Sequence, residues 1–356
     1  MCGEPTVNPE SHQNSPALPA LCPKPTVTVV IPAFNAAEFL RGGLDSVLAQ
    51  TCQPLEIIVV DDGSEDGTPE VAAAYAGKVR YIRKERGGPA AARNEGIRAA
   101  SGEWIAFQDA DDIWPADLLE KLFAAATVTG ADLIFGDSIN LVEGAIVGTS
   151  RLEHSELKPR LGELVAGGVL LNPFELFLEL RNFISTCAVL VRKDALTQVG
   201  LFDESLRYAE DLDLWLRLSI EHTFAPVEEA VVLRRVHATN TGRDGWAMMA
   251  AEIGVYEKLK RDARAAALRT EWRKILRRRT VPMLREQGSG YMERGEPGLA
   301  RASWAICFWE TYSPVVAMYW LLTFLPKSWM EAVRDWKNRT KLTLSISATR
   351  PDGGLK

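Results

Sequence analysis

The residues best suited to chemistry stand in the stretch EWIAFQDADDIW, residues 103–114. Mostly apolar residues run there into three carboxylates, Asp109, Asp111 and Asp112. Like charges at the end of a buried strand repel one another and cost free energy to desolvate unless a cation or hydrogen-bond donors compensate. In an extended exit from a strand, residues i and i+2 point the same way, so Asp109 and Asp111 can share one ligand. A Mg²⁺ or Mn²⁺ ion takes oxygen ligands, accepts a few protein carboxylates and completes its shell with phosphate oxygens. The pattern predicts a divalent cation that neutralises a bound diphosphate. Asp112 has a second use, as the cap of a helix expected from near Pro115.

Three other polar stretches compete for a role. In LEIIVVDDGSEDGT, residues 55–68, Asp61 and Asp62 close an apolar run and are placed to accept hydrogen bonds from a base or a ribose. The spacing Asp62, Ser64, Asp66, Gly67 resembles the start of a calcium loop, but that loop requires a Glu six residues after its Gly, and position 73 is Ala. In AEDLDLW, Glu210, Asp211 and Asp213 sit at the beginning of an amphipathic helix. Acids there complement the helix dipole, which accounts for some of them without any chemistry. In RRVHATNTG, His237 is either a structural histidine or a ligand, and Arg234 and Arg235 are either cations for a departing diphosphate or surface arginines.

The elements that must position these residues alternate. VTVVIP, LEIIVVDD, VRYIRK, EWIAFQ and ADLIFGD read as strands, separated by helical stretches such as GPAAARNEGIRAAS and PADLLEKLFAAATVTG. That rhythm through residue 137 predicts a parallel sheet with helices on both faces, and ligands of such sheets bind beyond the carboxyl ends of the strands. Those ends here read IPAFN, VVDDGSED and FQDADD, so acid is concentrated at one edge. After residue 138 the alternation becomes irregular: NLVEGAIVG reads as a hairpin, 150–172 as a loop, STCAVLVRK and AVVLRRVH as further strands, and 246–335 as helices only.

Composition narrows the partners. The chain of 356 residues carries 41 Lys and Arg against 47 Asp and Glu, a net charge of −6, which argues against nucleic acid. Its five cysteines, with no CxxC pair, indicate neither a zinc site nor a disulfide framework, and a reducing cytoplasm fits them best. Residues 1–25, rich in Pro, Ser and Asn, are expected to be a disordered leader rather than a signal peptide. A dinucleotide oxidoreductase would need GxGxxG after the first strand, and PAFNAA stands there instead. A sugar nucleotidyltransferase would want a glycine-rich basic loop at the same place, and a degenerate scaffold would show broken motifs.

Taken together, VTVVIPAFNAAEFLRGGLDSVLAQTCQPLEIIVVDDGSEDGT, RGGPAAARNEGIRAASGEWIAFQDADDIWPADLLEKL and YAEDLDLWLRL resemble the family 2 glycosyltransferases, over residues 26–240. The resemblance implies a Rossmann-like α/β/α sandwich of GT-A type, an inverting reaction, a nucleotide-diphosphate sugar donor with UDP favoured, and Mn²⁺ or Mg²⁺ as cofactor. It implies that Pro32, Ala33, Phe34 and Asn35 line the nucleotide pocket, that Asp61 or Asp62 meets the base, and that Gly88, Arg93 and Asn94 lie on the helix that closes over the nucleotide. It puts Asp109 near ribose or metal, Asp111 on the metal and His237 close to metal or diphosphate. It selects Asp211 over its acidic neighbours as the catalytic base, the carboxylate that deprotonates an acceptor hydroxyl on a glycan or lipid-linked acceptor.

This reading divides the chain into a catalytic unit at 26–240, with a nucleotide-binding half at 26–137 and an acceptor half at 138–240, a helical region at 241–340 and a tail at 341–356. The segment WAICFWETYSPVVAMYWLLTFLPKSW holds Trp304, Trp309, Trp320 and Trp329 but one acid, Glu310. Packing on the catalytic unit and lying in a membrane interface are both open to it, whereas Glu310 and Pro314 interrupt any span. The expected location is cytoplasmic, with peripheral contact to the inner face of the cell membrane through 303–329.

Overall fold

The computed structural model describes residues 26–180, 182–237, 245–261 and 270–324. The expected leader and tail, and residues 325–329, lie outside the described residues.

The first half follows the predicted alternation. β1 (Val27–Ala33), α1 (Leu40–Leu48), β2 (Glu56–Asp61), α2 (Thr68–Ala73), β3 (Arg80–Arg83), α3 (Pro89–Ala99), β4 (Trp104–Phe107), α4 (Leu118–Thr129) and β5 (Leu133–Val142) succeed one another. β1 pairs in parallel with both β2 and β4, and β2 with β3. Runs such as VTVVI are buried on both faces, which is why they read as unbroken apolar stretches. Helix α3 lies hard against β1: a β-carbon on Gly96 would stand 2.3 Å from Val30 Cγ1, so only glycine lets the two approach this closely.

The second half departs from a purely parallel plan. β6 (Ala145–Val147) folds back on β5 through the turn at Glu143 and Gly144, both at positive φ, as the hairpin pattern predicts. The stretch read as a loop contains α5 (Arg151–His154), α6 (Leu161–Leu164) and a small β7 (Val165–Ala166)–β8 (Val169–Leu170) ribbon. After α7 (Pro173–Leu180), β9 (Val189–Arg192) inserts between β4 and β5 and runs antiparallel to both. Helices α8 (Lys193–Val199) and α9 (Glu210–Ser219) follow, and β10 (Phe224–Arg235) returns beside β5 in parallel. The strand order is β10-β5-β9-β4-β1-β2-β3. The whole is the GT-A-type sandwich, with one core on each face of the sheet.

Three further pieces are helical: α10 (Gly245–Leu259), α11 (Thr270–Glu293), and a hairpin of α12 (Pro297–Thr311) and α13 (Pro314–Leu322). Trp304 of α12 stacks on Tyr319 of α13 with ring centroids 5.0 Å apart. No described helix is long and apolar enough to cross a membrane.

Candidate functional site

The carboxyl ends of β1, β2 and β4 meet a set of loops that are stitched together by their own polar groups. After β1, Asn35 takes a left-handed backbone (φ 49), its N–H donates to Ser64 Oγ (2.9 Å), and its Oδ1 accepts from Glu65 N (2.9 Å). Ala36 N donates to Thr68 Oγ1, and Ala37 N to Asp66 Oδ2. The residues that mimic a calcium loop are thus spent on holding the Pro32–Ala37 turn. Phe34 remains on the surface, with the Arg86 guanidinium 4.0 Å above its ring.

Asp61 and Asp62 are both buried and both engaged. Asp61 accepts from Ser64 N at 2.8 Å and from the Tyr81 hydroxyl. Burial works to raise its pKa, but the hydrogen bonds from Ser64 and Tyr81 overcome it and hold the carboxyl below the usual range. Tyr81 is correspondingly pushed up to about 12 by burial and by that bond. Asp62 accepts from Lys84 Nζ (2.9 Å), Gly87 N (2.8 Å) and Gly88 N (2.7 Å), so it anchors the strap that leads into α3. Gly88 closes the strap at φ 89, a conformation that leaves room only for glycine.

The acids after β4 are separated by their partners. Asp109 Oδ1 accepts from Arg93 Nη2 at 2.8 Å. Asp111 Oδ2 lies 2.9 Å from His237 Nε2, and the His237 ring stacks on Phe39 at 4.3 Å. Burial first and the Asp109 charge second raise the pKa of Asp111, with His237 pulling against them. Asp112 does not cap α4, which begins at Leu118 after Asp117. It is buried and accepts from Arg235 N at 3.1 Å, while Ile113 bridges to Leu233. This docking of the turn on the end of β10 is what carries His237 across 126 positions of sequence to Asp111. Arg235 faces Phe39, its guanidinium 5.8 Å from the ring.

Asp109, Asp112 and Cys187 each bring one ligand atom within 4.8 Å of one another. Burial, then the charges of Asp109 and Asp111, push Asp112 well up, and burial with the same acidic neighbourhood does so for Cys187. A protonated thiol is a poor ligand for a hard cation. Carboxylate and imidazole donors of the kind that suit Mn²⁺ or Mg²⁺ are present in the Asp111–His237 pair and in Asp109, but Asp109 is held by Arg93 and its ligand atom groups with those of Asp112 and Cys187 rather than with that pair.

Opposite these acids, α9 begins after Ala209, itself in the left-handed region at φ 57. Asp211 Oδ2 accepts from Asn182 Nδ2 (2.8 Å) and is 3.5 Å from Thr186 Oγ1, and its Oδ1 accepts from Leu212 N (2.7 Å). Glu210 accepts from Arg93 Nη1 at 2.9 Å, so one buried arginine spans from β4 to α9. Asp213 lies on the inner side of the helix with Arg217 (2.7 Å) and Lys258 (2.7 Å). Asn94 is buried, and its amide is spent on Phe202 and Glu204, where it holds the loop before α9. Of the residues named from sequence, Asp111 and His237 pair with each other, Arg93 joins Asp109 to the turn bearing Asp211, and Asn94, Asp61 and Asp62 are turned to loop architecture. Asn182 and Thr186 were not legible from sequence, since nothing in RNFISTC marks them as partners of an acid.

The acid turn after β4 and the acids at the start of α9 are joined through Arg93 at the carboxyl edge of the sheet, where open α/β sheets take their ligands. The family model described as Glycosyl transferase family 2 matches residues 28–196, so the chain is similar to that family over a little under half of its length. An uncharacterized glycosyltransferase of Rickettsia prowazekii is 31% identical over 218 residues, covering 61% of this chain and 66% of the relative. The succinoglycan biosynthesis protein ExoO of Rhizobium meliloti is 36% identical over 196 residues, covering 54% of this chain and 55% of ExoO. The chain thus spans less than two thirds of the length of these relatives. In fold it is similar to the S. aureus TarS 1–349 structure in complex with UDP-GlcNAc, with a TM-score of 0.53 at 16% identity over 78% of this chain and 87% of that one.

Proposed function

We propose that this protein is an inverting glycosyltransferase that moves a sugar from a nucleotide-diphosphate donor, a UDP-sugar in the first instance, to a hydroxyl of a glycan or lipid-linked acceptor. The observation that carries the reading is the Arg93 bridge, which joins Asp109 in the acid turn after β4 to Glu210, the neighbour of Asp211, while His237 pairs with Asp111 of that same acid turn. Asp109, Asp111 and His237 would hold Mn²⁺ or Mg²⁺, which would supply positive charge to the diphosphate as it leaves. Pro32, Ala33, Phe34 and Asn35, with the strap at Gly88, form the wall for the nucleotide. Asp211, oriented by Asn182 and Thr186, takes the proton of the acceptor hydroxyl as its oxygen attacks the anomeric carbon. The bond from that carbon to the diphosphate oxygen breaks on the opposite face, and its electron pair leaves with the diphosphate.

In this reading residues 26–240 are the catalytic unit, 26–137 serving the donor and 138–240 the acceptor, and the helical region beyond them meets a membrane from the cytoplasmic side. Trp309, Tyr312, Val315, Met318, Leu321 and Phe324 are each at least half exposed, and aromatic residues of this kind favour a bilayer interface. The naming of ExoO for succinoglycan biosynthesis supports an envelope or secreted polysaccharide as the product's destination.

The test is calorimetric titration with UDP, GDP, CDP and dTDP, with and without Mn²⁺, on the wild type and on Asp111→Asn. One diphosphate is expected to bind in the presence of Mn²⁺ and to lose that dependence in the variant. Failure of all four to bind under any condition overturns the assignment.

A further inference from the structure

Arg93 is a cation placed between the two sides of the site. Its side chain is 7% exposed, and its guanidinium donates to Asp109 on one side (2.8 Å) and to Glu210 on the other (2.9 Å), above the Phe202 ring at 5.5 Å. Burial works against its charge, but Asp109 and Glu210 beside it hold the guanidinium ionised. Burial also pushes the Glu210 carboxyl up, the Arg93 charge pulls it back, and Asp211 adds to the rise.

The turn that Glu210 belongs to is strained at its start. Ala209 adopts φ 57, a conformation that is unfavourable for a residue with a β-carbon and persists only where surroundings enforce it. Asn94 fixes the loop before that turn by three hydrogen bonds to Phe202 and Glu204, and the Arg93–Glu210 pair fixes the turn itself. Asp211 is the next residue. A positive charge arriving at Asp109 repels the guanidinium and competes for the oxygen it holds, so the charge of Arg93 is thrown onto Glu210.

We propose that Arg93 is a positioning residue that couples occupancy of the donor side at Asp109 to the placement of Asp211, acting through Glu210. Loading the donor side tightens the first turn of α9, so the base for the acceptor is set after the donor has bound. By linkage, ordering that turn must in return favour donor binding. This coupling rests on the transferase reading above.

The experiment is hydrogen–deuterium exchange on the full chain, followed in peptides covering 208–214, with and without saturating Mn²⁺ and UDP. In the wild type, exchange over 208–214 is expected to slow by about fivefold or more on loading, the low end of ordinary coupling between sites. In Glu210→Gln and in Arg93→Lys, each compared at UDP and Mn²⁺ concentrations that saturate that variant, the response over 208–214 falls below about twofold. Exchange in α4 serves as the reference that loading leaves alone, and Arg93→Lys carries the test should Glu210→Gln fail to fold. Two results overturn the coupling: a wild type that binds UDP with no change over 208–214, or a response that survives in both variants. If neither UDP nor any of the other three diphosphates binds, the transferase reading falls and the coupling falls with it.

Discussion

The acid edge of the sheet and the α12–α13 hairpin depart from ordinary burial in opposite directions. At the sheet edge, charge is inside: Asp61, Asp62, Arg93, Asp112, Asp213 and Arg217 are all buried. In the hairpin, large apolar side chains are outside: Trp309 is 67% and Tyr312 69% exposed, with Val315, Met318, Leu321 and Phe324 beyond half. Each departure costs free energy if left alone, several kcal/mol for a lone buried charge and about 25 cal/mol for each Å² of apolar surface in water. The sheet edge offsets its cost internally, since Asp62 has three donors and Asp213 two cations. Among the described residues the exposed face of the hairpin has little offset of that kind, the Arg301 guanidinium over the Phe324 ring being one contact. Among the described residues, then, one region balances its departure within the chain, and the other leaves its large apolar side chains exposed.

The sharpest way to break that comparison is at Asp211. Asp211→Asn keeps the shape and the hydrogen bond from Asn182 can be remade, yet the side chain can no longer take a proton. Turnover should fall by about 10²- to 10⁴-fold, the usual contribution of a positioned general base, with Mn²⁺-dependent UDP binding retained. Steady-state kinetics beside calorimetry would check it, and an equal loss of binding would move Asp211 to the donor side. Asp112→Ala acts on the same edge through structure instead. It leaves the Arg235 N–H without its acceptor and should cost about 1–3 kcal/mol in denaturant unfolding. It should also loosen His237 from Asp111, which would be seen as weaker Mn²⁺ affinity.

The hairpin is expected to respond in the opposite sense. Met318→Asp with Leu321→Asp puts charge on a face that is already wet, so stability should stay within about 0.5 kcal/mol of wild type per site. Affinity for vesicles containing anionic lipid, read by co-sedimentation, should drop by about a hundredfold, since about 1.4 kcal/mol is tenfold in affinity and each of the two deleted side chains supplies at least that when buried. If the double variant instead unfolds at lower denaturant, these residues are covered by protein and the contrast between the two regions disappears.

How much of this was legible in the sequence follows the range of the interactions. The strand and helix alternation through β5 and the hairpin at Glu143–Gly144 were readable because period and turn chemistry are local. The insertion of β9 antiparallel between β4 and β5 was not, because a run such as VLVR states burial but not direction. At the site, Asp109 and Asp111 announced themselves by charge and spacing. Asp112 was misread as a helix cap because its partner, the N–H of Arg235, is 123 positions away. Glu210 and Asp213 both passed as dipole-compensating acids, yet one binds Arg93 and the other Arg217 and Lys258. Only the fold could tell those two carboxylates apart.

The smallest predicted effect sits on the flank of the charged region, where Lys258 of α10 reaches Asp203 (2.6 Å) and Asp213 (2.7 Å) beside α9. Burial works to raise the Asp203 pKa, but the bonds from Lys258 and Ser205 overcome it and bring it to about 2. A carboxyl lowered on folding adds stability that is complete above its unfolded value of 3.8 and is lost as pH falls through about 2. Lys258 is 42% exposed, so solvent screening limits the contribution to about 1 kcal/mol. Asp203→Asn should then be less stable than wild type by that amount near neutral pH, and the gap should close between pH 4 and pH 2. Exchange in α10 over the same range would show where the gap arises. Loosening of α10 with the sheet core unchanged keeps Lys258 as the tie between α10 and the region that holds charge. A gap that persists to pH 2 would mean that Asp203 stabilises through its Ser205 turn and not through α10.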